Sequence, residues 1–293
     1  MRTDNKKLPS LSVIMPCLNE QDNVLNAIEN TMLAFKKFDI DGEIILVDDG
    51  STDNTGNCIR NYKAQNKSTK VISHTTTLGI GASFWDGVRN ASNDFVVFVP
   101  GDNENDAHDF LRYYNLTNDV DIIIPFVMNI EIRSKFRRVV SSVYRLIINI
   151  SFGMNLNYTN GNVIYNRKIL DDIELKTTGF FFQAELLIKL IRMGYFYAEA
   201  PHILSKRQMG KTKAITLSSL VNVIFSYCQL VWDIHIMRIE GGERKKVKSN
   251  SVSNKRYNFD SWLNDGWNFK FVIFSADNNI PKYTYTYYIL QIF

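Results

Sequence analysis

The apolar positions of the first half fall in short runs separated by longer amphipathic stretches. Residues 11–15 form the first run, and a helical pattern comes next in which Val24, Ile28, Met32 and Phe35 share one face. Further runs at 43–47, 71–73, 95–99 and 121–125 predict strands, with helices near 55–64 and 81–91 and a short one before residue 121. Runs of this length between helices predict a mostly parallel sheet covered on both faces. Right-handed crossovers then place the strands' C-terminal ends on one edge, where open α/β sheets take their ligands.

The second half is less regular. It predicts helices at 136–150 and 181–191, a strand at 195–200 and a polar basic loop at 205–213. Residues 214–232 carry no charge, long enough to span a bilayer. Thr216, Ser218, Ser219, Asn222, Ser226 and Gln229 argue instead for an amphipathic helix docked at an interface. Arg238, Arg244, Lys245, Lys246 and Lys248 come directly after it, as expected beside anionic headgroups on the cytoplasmic side. The tail, 257–293, is rich in aromatic residues and suggests no role.

Composition narrows the class. Hydrophobic residues make up 45% of the 293 and charged residues 22%, which is a folded, globular balance. A net charge of +4 is too mild to predict nucleic acid as a partner. Cys17, Cys58 and Cys228 are odd in number and widely spaced, so neither a disulfide framework nor a structural zinc site is expected, and a reducing cytosol suits them. Residues 1–9 are polar and basic with no apolar run behind them, so no secretory signal is expected.

The segment after each strand should face the site. Pro16-Cys17-Leu18-Asn19-Glu20 comes after the first strand, Asp48-Asp49-Gly50-Ser51-Thr52-Asp53 after the second, and Pro100-Gly101-Asp102-Asn103-Glu104 after the fourth. Asp102 and Glu104 on one tight turn can share a hard cation, Mg²⁺ or Mn²⁺, whose shell a diphosphate would complete; a solvated acidic turn reads the same way. Asp48 and Asp49 repel one another at a buried strand end unless one binds something, such as a base N–H or a ribose hydroxyl. Ser51 or Asp53 is expected to cap the next helix. Gly79-Ile80-Gly81 is a short Gly-x-Gly before a helix that lacks the six-residue dinucleotide fingerprint and the lysine of a phosphate loop, and it reads equally as a simple tight turn. Arg207, Lys211 and Lys213 around Gly210 can wrap a phosphate or simply be solvated, and Arg137 and Arg138 invite the same two readings. His74, His108, His202 and His235 are scattered, and none pairs with a nucleophile. A base, if one is needed, is then a carboxylate.

In order and spacing, these motifs resemble the GT-A fold of family 2 glycosyltransferases. Phe180-Phe181-Phe182-Gln183-Ala184-Glu185, Ala198-Glu199-Ala200-Pro201 and the 207–213 loop are similar to the branch that makes dolichyl- or polyprenyl-phosphate sugars. The resemblance covers about residues 9–235. It implies a GT-A domain at 9–213, with a nucleotide-sugar half at 9–125 and an acceptor half at 126–213. Beyond it lie the amphipathic, membrane-interfacial segment 214–240 and, at 241–293, a basic linker with the aromatic-rich tail. By position, Pro16, Leu18, Glu20, Val47, Asp48, Asp49 and Gly79 would hold the donor, and Asp102 with Glu104 the metal and diphosphate. Arg138 or Arg137, Ser141 or Ser142, Arg207 and Lys213 would hold the acceptor phosphate and the leaving group. Two departures stand out. Pro100 occupies the first position of the family's acidic triplet and Glu104 replaces its Gln, and Tyr158-Thr159-Asn160-Gly161 stands where Asp-Pro-Thr-Ser-Gly is usual.

The resemblance implies an inverting, metal-assisted transfer of a sugar from a nucleotide-diphosphate sugar to a polyprenyl phosphate, by an enzyme lying peripherally on the cytoplasmic face of the membrane. The phosphate is already anionic and needs no base. Transfer to a hydroxyl of a cell-surface polysaccharide or glycolipid is the alternative; it requires one, with Glu185 as the candidate.

Overall fold

The computed structural model describes residues 7–66, 69–171, 173, 175–203, 217–237, 247–255, 270–275 and 286–291. The first half contributes β1 (Leu11–Cys17), β2 (Gly42–Asp48), β3 (Lys70–Ser73) and β4 (Phe95–Phe98). The second contributes β5 (Ile122–Val127), β6 (Ile164–Asn166) and β7 (Tyr197–His202). Two strands of the tail, β8 (Lys270–Ser275) and β9 (Thr286–Gln291), extend the same sheet. Among the described residues its order is β3-β2-β1-β4-β6-β5-β7-β9-β8.

Parallel pairing joins β1 to β2 and β4, β2 to β3, and β5 to β7. The exception inside the predicted region is β6, antiparallel to both β4 and β5. Its three buried residues are too short a run to show a period, so it leaves no sequence signal.

Side chains of each strand alternate between two cores. Val13, Met15, Ile44 and Leu46 pack on one face with Val24 and Ile28 of α1 (Val24–Phe38) and Phe110 of α4 (Ala107–Leu111). Ile14, Ile45 and Val47 pack on the other, with Phe84 and Val88 of α3 (Ile80–Asn90) and Leu186 and Leu190 of α6 (Phe182–Arg192). Each such side chain contributes about 1.5–3 kcal/mol by leaving water, so these two layers fix the edge on which the strands end. α2 (Thr55–Gln65) completes the first half.

Two helices are different. α5 (Lys135–Phe152) starts at Ser134, whose hydroxyl accepts the Arg137 N–H (3.3 Å), and stops at Gly153 in the left-handed region. Only Ile148 and Phe152 of its apolar residues are fully buried, whereas Phe136 and Ile150 are each 73% exposed. α7 (Leu217–Val231) likewise presents Val221, Ile224 and Phe225 to solvent. The two helices meet where the Ser151 and Tyr227 hydroxyls hydrogen-bond (2.6 Å) and the Phe152 ring stacks on His235. No helix among the described residues is long and apolar enough to cross a membrane.

Candidate active site

The strand ends are tied together before any ligand arrives. The Asp49 N–H donates to the Cys17 carbonyl (2.9 Å), the Gly101 N–H to Pro16 (3.0 Å) and the His74 N–H to Asp48 (2.8 Å). Side chains add a second set of ties. Asn19, at φ 55°, accepts the Thr52 N–H (2.8 Å), Ser51 Oγ accepts the Asn19 N–H (3.0 Å), and Thr55 Oγ1 accepts the Glu20 N–H (2.8 Å). A Cβ on Gly101 would stand 2.6 Å from the Cys17 sulfur, so the turn carrying Asp102 approaches β1 only because that residue is glycine.

A cavity of about 830 Å³ opens on this edge, within the ordinary range for ligand sites. Pro16, Leu18, Glu20, Asp49, Gly79, Asp102 and Glu104 all line it. Burial, and after it the negative fields of Asp48, Glu20 and Asp102, push the Cys17 thiol far up. Three carboxylates from three strand ends therefore act on one point, and that potential favours a cation. Arg137 and Lys176 line the same cavity, and Lys176 also pairs with Asp233 (2.7 Å). The remaining wall is α7. Asn222, Ser226 and Gln229 recur at helical spacing and line the cavity. Sequence reasoning read these polar residues only as an objection to a membrane span; their i, i+4, i+7 spacing was the missed signal.

Asp49 is 4% exposed, and its carboxylate is engaged within the protein. It accepts the N–H groups of Leu78 (2.8 Å) and Gly79 (3.0 Å) and contacts Nδ1 of His74 (2.8 Å), whose Nε2 lies 3.1 Å from Asp86. Gly79 sits at φ +102°, and the Gly81 N–H donates to the Thr178 carbonyl (2.8 Å). This turn is where the two halves of the chain meet, since Thr177 and Thr178 also line the cavity.

Several expected residues fall elsewhere. Val47 is fully buried in the core, and the Asp48 carboxylate turns back to accept the Ser51 N–H (3.0 Å); neither lines the cavity. Neither Ser51 nor Asp53 is the N-cap of α2, which is Asn54 without a side-chain cap; Asp53, one position earlier, accepts the Thr55 N–H (2.9 Å), and Ser51 is spent on Asn19. Arg137, not Arg138, faces the cleft, and Ser141 donates to the Arg138 carbonyl (3.1 Å); neither Ser141 nor Ser142 lines it. Glu185 departs furthest from expectation. It is 2% exposed, pairs with Lys189 (2.9 Å) and accepts the N–H groups of Lys176 (3.0 Å) and Thr177 (3.1 Å). It thus braces the wall from behind, where a substrate hydroxyl does not reach. Arg207, Lys211 and Lys213 lie outside the described residues.

Asp102 and Glu104 offer hard oxygen donors, and the Glu104 N–H donates to Asp102 (3.1 Å), which holds the turn closed. Among the described residues no three His, Cys, Asp or Glu side chains cluster to hold a metal. The donor set therefore fits a divalent cation shared with a diphosphate, and does not fit an all-protein cage.

A mostly parallel sheet with an acidic C-terminal edge, and cations lining the same cavity, is the arrangement of a GT-A glycosyltransferase. The profile of the family described as glycosyl transferase family 2 matches residues 12–174, more than half of the chain. The chain belongs to that family. It is 24% identical over 225 residues to an undecaprenyl-phosphate mannosyltransferase of Micrococcus luteus, covering 72% of this chain and 90% of that protein. It is 28% identical over 163 residues to an undecaprenyl-phosphate 4-deoxy-4-formamido-L-arabinose transferase of Pseudomonas fluorescens, covering 55% of this chain and 48%, about half, of that relative's length. In fold it is similar to the glucosyl-3-phosphoglycerate synthase of Mycobacterium tuberculosis, solved with Mn²⁺, UDP-glucose and phosphoglyceric acid. There the TM-score is 0.56 at 17% identity, over 76% of this chain and 80% of the other.

Proposed function

We propose that this glycosyltransferase moves a sugar from a nucleoside-diphosphate sugar to the phosphate of a polyprenyl lipid, with inversion at the sugar C1. One observation carries the reading: a single cavity holds Glu20, Asp49, Asp102 and Glu104, the cations Arg137 and Lys176, and Phe225, which is also 71% exposed on α7. Nucleotide-diphosphate chemistry and an apolar surface thus meet at one opening. The names of the two relatives, both undecaprenyl-phosphate sugar transferases, support the acceptor. The outward apolar side chains of α5 and α7 support peripheral contact with the bilayer that carries it.

In this reading Pro16, Leu18, Glu20 and the turn that Asp49 organises hold the nucleoside. Asp102 and Glu104 hold a Mg²⁺ or Mn²⁺ ion, which supplies neutralisation of the diphosphate charge. Arg137 offers a guanidinium fork to the incoming phosphate, aligning it with C1, and Lys176 adds positive charge beside it. Electrostatic contributions of this kind typically each change rates by about 10²–10³-fold. The phosphate attacks as an anion, so no side chain needs to take a proton. The commitment of Glu185 to Lys189 counts against the hydroxyl-acceptor alternative.

The test incubates the full chain with labelled UDP- or GDP-sugars, Mg²⁺ or Mn²⁺ and undecaprenyl phosphate in phospholipid vesicles. Label should become extractable into organic solvent and the protein should float with the vesicles. Label that moves only to oligosaccharide hydroxyls would replace this reading with the alternative.

A further inference from the structure

Beside the main cavity lies a second, of about 600 Å³, which shares Pro100, Glu104 and Arg137 with it. A sugar bonded to a diphosphate must occupy space next to that diphosphate, and this cavity adjoins the acidic turn. Beside Glu104, Arg133 and Arg137, its lining offers the neutral hydrogen-bonding side chains of Tyr158, Asn160, Asn162 and Gln183. Asn162 is fixed in place by donating to the Phe98 carbonyl (2.7 Å). Arg133 is held against the wall, donating to the Tyr158 hydroxyl (3.0 Å) with its guanidinium 5.6 Å from that ring's centroid.

His202 also lines this cavity and is 5% exposed, yet neither ring nitrogen has a hydrogen-bond partner among the described residues. An imidazole buried without partners is costly, and such groups occur where a ligand completes them. Its position is rigid. It ends β7, and its carbonyl accepts the Met128 N–H (2.9 Å) beside the β5–β7 pairing.

We propose that the second cavity receives the transferred sugar and that His202 reads one of its hydroxyl groups, making it a specificity-determining residue. This rests on the donor reading above and deepens it. Burial first, and then the charge of Arg133, lower the imidazole to about 4, so it stays neutral at working pH. A neutral ring carries one donor and one acceptor, which suits a hydroxyl that can return either role. Inverting that hydroxyl at its carbon takes the partner away and leaves the ring buried and unpaired, so the residue senses epimers.

The experiment uses the full chain and donor pairs that share a nucleotide: UDP-glucose against UDP-galactose, and GDP-mannose against GDP-glucose. Binding is measured by calorimetry beside UDP and GDP alone, and turnover by kcat/KM. In His202→Phe the preference within the favoured pair should collapse by about 10–100-fold while nucleoside-diphosphate affinity holds within about twofold; His202→Gln, with a donor and an acceptor, should restore part of it. An unchanged epimer ratio in His202→Phe with normal UDP or GDP binding overturns this inference alone. So does a change confined to the KM for undecaprenyl phosphate, which would give the cavity to the acceptor. If the wild-type chain binds no sugar nucleotide, the donor reading fails and this inference fails with it.

Discussion

Under the function proposed above, the donor and acceptor halves of the chain each bury a carboxylate, and they satisfy it differently. On the donor side, Asp49 is met by two backbone N–H groups and His74, and the loops around it are laced by side chain–backbone hydrogen bonds. On the acceptor side, Glu199 in β7 is 1% exposed and is met by Asn157, through its N–H (2.7 Å) and its side-chain amide (2.8 Å), and by the Tyr158 backbone. Burial wins there, raising Glu199 to about 7 despite the Asn157 hydrogen bonds, the Arg145 charge and the Tyr158 backbone hydrogen bond. The helices beyond it leave apolar side chains uncovered. One wall is prearranged for a compact, charged ligand. The other carries uncovered apolar side chains, which in the proposed function suit a long, flexible one.

Replacing Asp102 by Asn should produce the largest effect. It keeps the shape of the turn while halving the hard-anion pair, so turnover should fall by about 10²–10³-fold, with the melting temperature nearly unchanged. A loss below tenfold in steady-state kinetics would mean that the acidic edge is not where charge develops. Asp49→Ala comes next, and it probes the lacing itself. It leaves the Leu78 and Gly79 N–H groups and His74 without their acceptor in a buried site, a cost of roughly 3–4 kcal/mol of unfolding free energy by urea titration. A double-mutant cycle with His74→Ala should show coupling, because the two side chains are in contact. Additive effects would break the claim that the donor side is one network.

Much of this contrast was legible in the residue order. Apolar runs located every strand of the first half to within a few residues, because a sheet buried on both faces needs them. The motifs after β1, β2 and β4 do line one cleft, since strand ends share an edge. What could not be read was side-chain direction. Asp48 and Asp49 are neighbours in sequence, yet only Asp49 lines the cavity, because successive side chains of a strand point to opposite faces. Glu185 carried the signature of an active-site helix but turned out to brace a wall, a fact that depends on Lys189 one helical turn away and on the path of residues 176–179. The sequence pairs neither His74 nor His202 with a nucleophile; their surroundings come from residues far apart in the chain, Asp49 and Asp86 for His74 and Arg133 for His202. The exposed stripe of α5 was available in principle, since Phe136, Val139, Val140, Val143, Ile147 and Ile150 repeat at helical spacing.

The smallest expected effect concerns Glu199, and it tests whether the acceptor wall is as loosely compensated as its hydrogen bonds indicate. The ordinary value for this carboxyl is 4.5, and in the fold it is about 7. Between those two values the folded chain holds a proton that the unfolded chain has released. Stability is therefore fully present at and below pH 4.5, falls as pH rises through the window to pH 7, and is flat above it. Each pKa unit corresponds to about 1.4 kcal/mol, which bounds the loss at about 3.5 kcal/mol. Glu199→Gln removes the titration and keeps one acceptor for Asn157, so it should gain about 2 kcal/mol over the wild type at pH 8 and little at pH 4.5. Urea titrations at the two pH values measure the difference directly. If the wild type and Glu199→Gln show the same pH dependence, the hydrogen bonds that Glu199 accepts offset its burial, and the difference between the two halves lies in their apolar surfaces alone.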